Sequence, residues 1–195
     1  MKKCVSCLSK HTFNIWELGD QPLSFEFESG IETSQINLTL NECSSCGLIQ
    51  LENELTRSLL NTLPNWATYQ EPEDHLKELV NFCLKEGFLK EGNRILGLSD
   101  HDSEFLDLVK EKEIILCDRP LKDIRPNPWE TEKIIDQMLE KGSHYDVIVA
   151  RRILEHFENP NRVLMKLHKF GVKKLLLEIP DSTKSLEQGD VTMLW

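Results

Sequence analysis

Apolar positions recur along this chain with two periods, and the change between them divides it. From Glu73 to Phe88, residues Leu76, Leu79, Val80, Cys83 and Leu84 are three or four apart and Gly87 lies near the stop, which predicts an amphipathic helix. Arg94-Ile95-Leu96-Gly97-Leu98 then reads as a strand, and a helix from about Asp102 to Lys112 carries Phe105, Leu106 and Val109 on one face. The alternation repeats with a strand at 114–117, a helix near 130–141 ending at Gly142, and a strand at 146–150. A helix follows with Asn159 as cap, Pro160 first and Gly171 as terminator, and then a strand at 174–179. Short apolar strands alternating with amphipathic helices predict βαβ crossovers and a parallel sheet covered on both faces, an α/β body of the nucleotide-binding type.

Before residue 70 the pattern differs. Thr12–Leu18 and Ile36–Leu40 carry β-type residues, separated by turn-rich Gly19-Asp20-Gln21-Pro22 and Ser29-Gly30. Four of the six cysteines flank them as Cys4-x-x-Cys7 and Cys43-x-x-Cys46, the second pair followed by Gly47. Two such pairs present four thiolates to one tetrahedral ion, so structural zinc is the favoured reading, with a redox dithiol or two disulfides as alternatives. Zinc here would stand in for a core that a segment with few large apolar groups cannot build. Cys83 and Cys117 fall inside apolar patterns and read as packed core thiols. The boundaries expected are 1–70 for a zinc-binding domain and 71–195 for the α/β domain.

Composition narrows the function classes. An apolar share of 39% over 195 residues supports a packed core and excludes a disordered chain. With 23 Lys+Arg against 33 Asp+Glu the net charge is -10, and residues 1–70 hold only Lys2, Lys3, Lys10 and Arg57 as cations, so a nucleic-acid partner is disfavoured. No apolar run approaches the roughly 20 residues that span a bilayer, and the first ten residues lack a signal-peptide stretch, so a cytoplasmic protein with no membrane partner is expected.

In an open parallel sheet, ligands bind beyond the carboxyl ends of the strands. Those ends read Ser99-Asp100-His101-Asp102-Ser103, Asp118-Arg119-Pro120, Arg151 to Phe157, and Glu178-Ile179-Pro180-Asp181. Asp118 lies 19 residues after Ser99, the offset at which a carboxylate accepts from the ribose hydroxyls of a dinucleotide or adenosyl ligand; a turn acid is the alternative. No G-x-G-x-x-G is present. Without it the backbone cannot approach a pyrophosphate closely, so a dinucleotide dehydrogenase is disfavoured and a ligand without phosphates is preferred.

Residues 4–50 resemble the N-terminal zinc-binding part of sugar C-methyltransferases, through Cys4-x-x-Cys7, Leu18-Gly19-Asp20-Gln21-Pro22-Leu23, Leu38-Thr39-Leu40 and Cys43-x-x-Cys46-Gly47-Leu48-Ile49-Gln50-Leu51. The body resembles the same family from Tyr145 to Pro160, around Leu154-Glu155-His156-Phe157, and again at Leu177-Glu178-Ile179-Pro180-Asp181. The resemblance implies a Rossmann-like class I methyltransferase sheet behind a small β-rich zinc domain. It implies S-adenosylmethionine as cofactor and a nucleotide-linked keto-deoxysugar or related small molecule as substrate. Cys4, Cys7, Cys43 and Cys46 would hold zinc; Gly97, Ser99, Asp102, Asp118, Ala150 and Arg151 would hold the cofactor. His156 is the candidate for acid/base or enolate contact, with helix capping as the alternative, and Tyr69 for an aromatic closing over the site, with ordinary packing as the alternative.

The sequence departs from the family in two places. Where the family's first loop has an acid and two glycines, this chain has Gly97, Ser99 and Ser103. Only 14 residues follow Asp181, whereas the family continues with a Glu-His pair, an aromatic segment and a C-terminal domain, so a truncated body is expected. A missing domain or a protein partner would then cover an open sheet edge. Two functions stay in view: a methyltransferase or its cofactor-binding portion, and a catalytically inactive zinc-and-Rossmann module acting as a binding or assembly partner.

Overall fold

The backbone of Thr12–Pro22 runs as β1, Gln35–Cys43 as β2 and Ile49–Leu51 as β3, in one antiparallel sheet of order β1-β2-β3. The computed structural model describes residues 2–22, 35–53, 73–111, 116–118, 128–157, 159–181 and 183–188, with the backbone alone at 22, 100, 116–118, 128–130 and 184–186. Two compact units result, one of Met1–Glu71 with Ser185–Trp195 and the other of Pro72–Lys184.

In the first unit, β1 does not end at Leu18 as the sequence suggests. It continues through Gly19-Asp20-Gln21-Pro22, pairing Gly19 with Leu38 and Pro22 with Gln35. A register shift between Glu17 and Gly19 takes up the irregularity, Gly19 adopts φ +69°, and the Gln21 side-chain amide donates to the Leu18 carbonyl. Turn-forming residues therefore serve a bulge instead of a turn. Along β2, Leu38 and Leu40 alternate with Thr39, Asn41 and Cys43, and all five are buried. One face of this central strand is thus apolar, while the other is polar yet shielded from water.

In the second unit, α1 (His75–Lys85), β4 (Arg94–Gly97), α2 (Ser103–Lys110), β5 (Leu116–Asp118), α3 (Pro128–Glu140), β6 (Val147–Arg151), α4 (Pro160–Lys169) and β7 (Lys174–Glu178) follow in order; a short α5 (Thr183–Gln188) then falls at the division between the units. Strands β5-β4-β6-β7 form a parallel four-stranded sheet. Ile95, Val147 and Val149 face a core with Leu76, Val80 and Cys83 of α1 and Phe105, Leu106 and Val109 of α2. Leu96, Ile148 and Ala150 face the opposite core with Ile135 of α3 and Val163 and Leu167 of α4. Burial on both sides explains why β6 reads as an unbroken apolar run. Asn159 caps α4 by accepting from the Arg162 N–H with Pro160 at the first position, as its sequence predicts.

This is the mixed α/β architecture expected: a cysteine-bearing β-rich part followed along the chain by a Rossmann-like parallel sheet, open among the described residues. No helix among them is long and apolar enough to cross a membrane.

Candidate metal centre and the carboxyl end of the sheet

The two cysteine pairs fold into near-identical knuckles. The Leu8 N–H donates to the Cys4 carbonyl at 3.0 Å and the Gly47 N–H to the Cys43 carbonyl at 2.8 Å. In each knuckle the first cysteine donates its own N–H to a carbonyl five residues on, Cys4 to Ser9 and Cys43 to Leu48. The residue after each second cysteine is left-handed, Leu8 at φ 61° and Gly47 at φ 73°. Gly47 marks its turn in the sequence; Leu8 gives no such signal.

These knuckles bring Cys4, Cys7, Cys43 and Cys46 together with all four sulfurs within 4.8 Å of one another. Sγ of Cys4 is 3.6 Å from that of Cys46, and Sγ of Cys7 is 3.5 Å from that of Cys43. Tetrahedral zinc with Zn–S near 2.3 Å requires sulfurs about 3.8 Å apart, whereas a disulfide requires about 2 Å. All four cysteines are free thiols, and the cluster can chelate a metal ion. Burial works to raise the Cys43 thiol, but the Ser45 and Cys46 N–H groups and the Cys7 and Cys46 thiols bring it down to about 6. At Cys46 the Leu48 N–H favours the thiolate, yet burial and the other three sulfurs push it up to about 12. The Cys43 thiolate forms readily while Cys7 and Cys46 resist, the electrostatics of a site that a cation would complete. The donor set suits zinc.

At the carboxyl end of the body's sheet, Gly97 has a packing reason to be glycine. A Cβ there would meet Leu106 Cδ1 at 2.7 Å and Asp102 Cβ at 3.0 Å. Asp102 is fully buried; its Oδ2 accepts from the Ser99 N–H at 2.8 Å and its Oδ1 from the Arg151 N–H at 2.9 Å. Burial pushes its carboxyl up to about 7 against these N–H groups and the Arg151 charge. Ser99 Oγ lies 3.4 Å from the Arg151 carbonyl oxygen. Ser99, Asp102 and Arg151, singled out separately in the sequence, are therefore one hydrogen-bonded unit tying the end of β4 to the end of β6.

The Arg151 side chain is also fully buried. Nε and Nη2 donate to Glu178 at 2.9 and 3.2 Å, Nη1 and Nη2 to Glu73 at 3.1 and 2.9 Å, and Nη1 also to the His101 carbonyl. Burial would lower the Arg151 pKa, but Glu178 and Glu73 more than reverse this. Glu178, which also meets His75 at 3.3 Å, is held near 2 because Arg151 and His75 outweigh its own desolvation. Arg152 follows at φ 49°, with both carboxylates 3.4 Å from its guanidinium. Glu178 was legible as a strand end; Glu73, 78 residues from Arg151, carried no signal in the sequence.

Ala150 is buried within β6, and Asp118 closes β5 opposite Leu96 of β4. His156 is exposed at the end of a 3-10 turn, Leu154–His156, its N–H donating to the Ile153 carbonyl. Tyr69 lies outside the described residues. No protein-family model matches the chain, and no curated protein matches it significantly.

Proposed function

We propose that this chain is an S-adenosylmethionine-dependent methyltransferase that alkylates a carbon of a small molecule of the nucleotide-linked keto-sugar class, with a zinc-stapled domain at 1–70 and the methyltransferase-like domain at 71–195. The observation that carries the cofactor half is the strand order. From β4 the chain moves outward to β5 on one side and then crosses to β6 on the other, so the loops after β4 and β6 flank a topological switch point. Asp118 ends the strand beside it, where a carboxylate receives ribose hydroxyls.

Asp102 and Arg151 fit this reading as positioning residues, because their bonding capacity is spent on the chain itself; ligand contacts fall to what the loop after β4 leaves unspent, to Asp118 and to the Ala150 end of β6. S-adenosylmethionine supplies an electrophilic methyl on sulfur. His156, whose imidazole is exposed, is assigned the proton transfer at the substrate carbon or enolate oxygen. Tyr69 is assigned to closing the site, and a partner or further domain to covering the outer edge of β7, the last strand of the sheet among the described residues.

Ser99 and Ser103, standing where the family's first loop has glycines, favour a second reading, a non-catalytic module that binds a partner. Calorimetry with S-adenosylmethionine and S-adenosylhomocysteine separates the two: the first requires binding that Asp118→Ala weakens at least tenfold. Absence of heat with either ligand at millimolar concentration rejects it in favour of the second.

A further inference from the structure

Gln50 of β3 joins the two ends of the cysteine-bearing unit. Its Oε1 accepts from the Val5 N–H at 2.9 Å, and its Nε2 donates to the Lys3 carbonyl at 3.1 Å. The two bonds fall on the residues immediately before and after Cys4, so one amide brackets one thiol. Gln50 is 8% exposed and Cys4 is completely buried, so both bonds start from a side chain largely shielded from water, although they end on half-buried Val5 and exposed Lys3. Thr12 of β1 adds a tether one residue further out, its Oγ1 donating to the Lys2 carbonyl at 3.1 Å. Cys43 needs no such clamp because it is itself the last residue of β2, paired with Thr12.

The asymmetry has a chemical consequence. The second knuckle is built into a strand end, whereas the first is a short N-terminal segment whose place opposite the sheet must be fixed from outside. A side chain using both its donor and its acceptor sets position and rotation together, which a single hydrogen bond cannot do. We infer that Gln50 is a positioning residue for the metal centre, holding Cys4 in place before an ion arrives and against its loss afterwards. This rests on the reading of the four cysteines as a metal site.

The test uses the full chain, with Gln50→Leu and Gln50→Glu against the unaltered protein. Leu removes both bonds; a carboxylate keeps the acceptor for Val5 but cannot donate to Lys3. Zinc affinity is measured by competition with a chromophoric chelator, and cysteine reactivity of the zinc-loaded protein by alkylation with peptide mapping. Partners that orient metal ligands typically contribute 10–100-fold in affinity, and a loss of that size is expected in both variants. Cys4 should become the fast-reacting thiol while Cys43 stays protected.

Equal gains in reactivity at Cys4 and Cys43 would make Gln50 a general packing residue and overturn the inference, as would unchanged affinity. Should a variant fail to fold without metal, the competition still reads its affinity and the mapping still separates the two thiols. Failure of the unaltered protein to bind zinc or cobalt would remove the metal reading itself and this inference with it.

Discussion

Asp102 shows how one residue can be indispensable to a loop and still strain the fold. Its carboxylate satisfies two buried N–H groups that would otherwise be orphaned, Ser99 and Arg151, yet its charge has no water around it. With the folded carboxyl at about 7 against an ordinary value of 3.8, the folded state binds the proton more tightly than the unfolded state. The contribution is therefore fully present below pH 4 and is lost as pH rises through 7. Glu178 runs the other way: held near 2, it contributes above the ordinary carboxylate range and is lost as pH falls towards 2. Between pH 5 and pH 8 the Asp102 effect dominates this pair and weakens the body by roughly 3 kcal/mol. Urea unfolding at the two pH values should show that loss in the unaltered protein and a much flatter response in Asp102→Asn. Equal slopes in both would show that Asp102 is not the titrating group. The resemblance singled out Asp102 as a cofactor-loop acid, but its burial and its Arg151 N–H partner depend on the end of β6, 49 residues away, and were not legible in the sequence.

At the scale of elements, the helices and parallel strands were legible because each depends on neighbours a few residues away. The cap of α4 at Asn159-Pro160 and the apolar spacing of α1 are local signals, and the folded chain reproduces both. The β1 bulge was not, since Gly19 and Pro22 suit a turn in isolation and become strand only when β2 pairs with them. The cysteine knuckles were half legible: the spacing of the sulfurs gave the metal site, but the left-handed Leu8 did not announce itself. A leucine in that conformation costs roughly 1–2 kcal/mol, and Leu8 is 65% exposed, so it recovers little by packing. Leu8→Gly removes the strain at an entropic cost of roughly 0.5–1 kcal/mol. It should leave the zinc-loaded unit slightly more resistant to denaturant, while Leu8→Val should weaken it, because β-branching is least tolerated at positive φ. The reverse order would mean that the knuckle depends on the Leu8 side chain.

Across the whole molecule, the two units rely on different physics. The body has two apolar cores, one on each face of its sheet, built from long-range contacts among α1 to α4 and the central strands. The N-terminal unit has Leu38 and Leu40 as its large buried aliphatics among the described residues, a polar buried face beside them, and four thiols. Buried Asn41 Oδ1 has no hydrogen-bond partner among the described residues, so the polar face of β2 is not fully satisfied by them. The Glu73–Arg151–Glu178 network lay beyond sequence reading for a related reason: it joins residues far apart in the chain and carries no periodic signal.

With the four thiols read as a metal site, an ion supplies the stability the first unit lacks while the body stands without it. The most direct measurement is elemental analysis of the purified chain, followed by hydrogen exchange with and without a strong zinc chelator. Close to one zinc per chain is expected, and after chelation a loss of protection in β1 to β3 with the strands of the body unchanged. Well under one zinc per chain, with protection of β1 to β3 unaffected by the chelator, would contradict it.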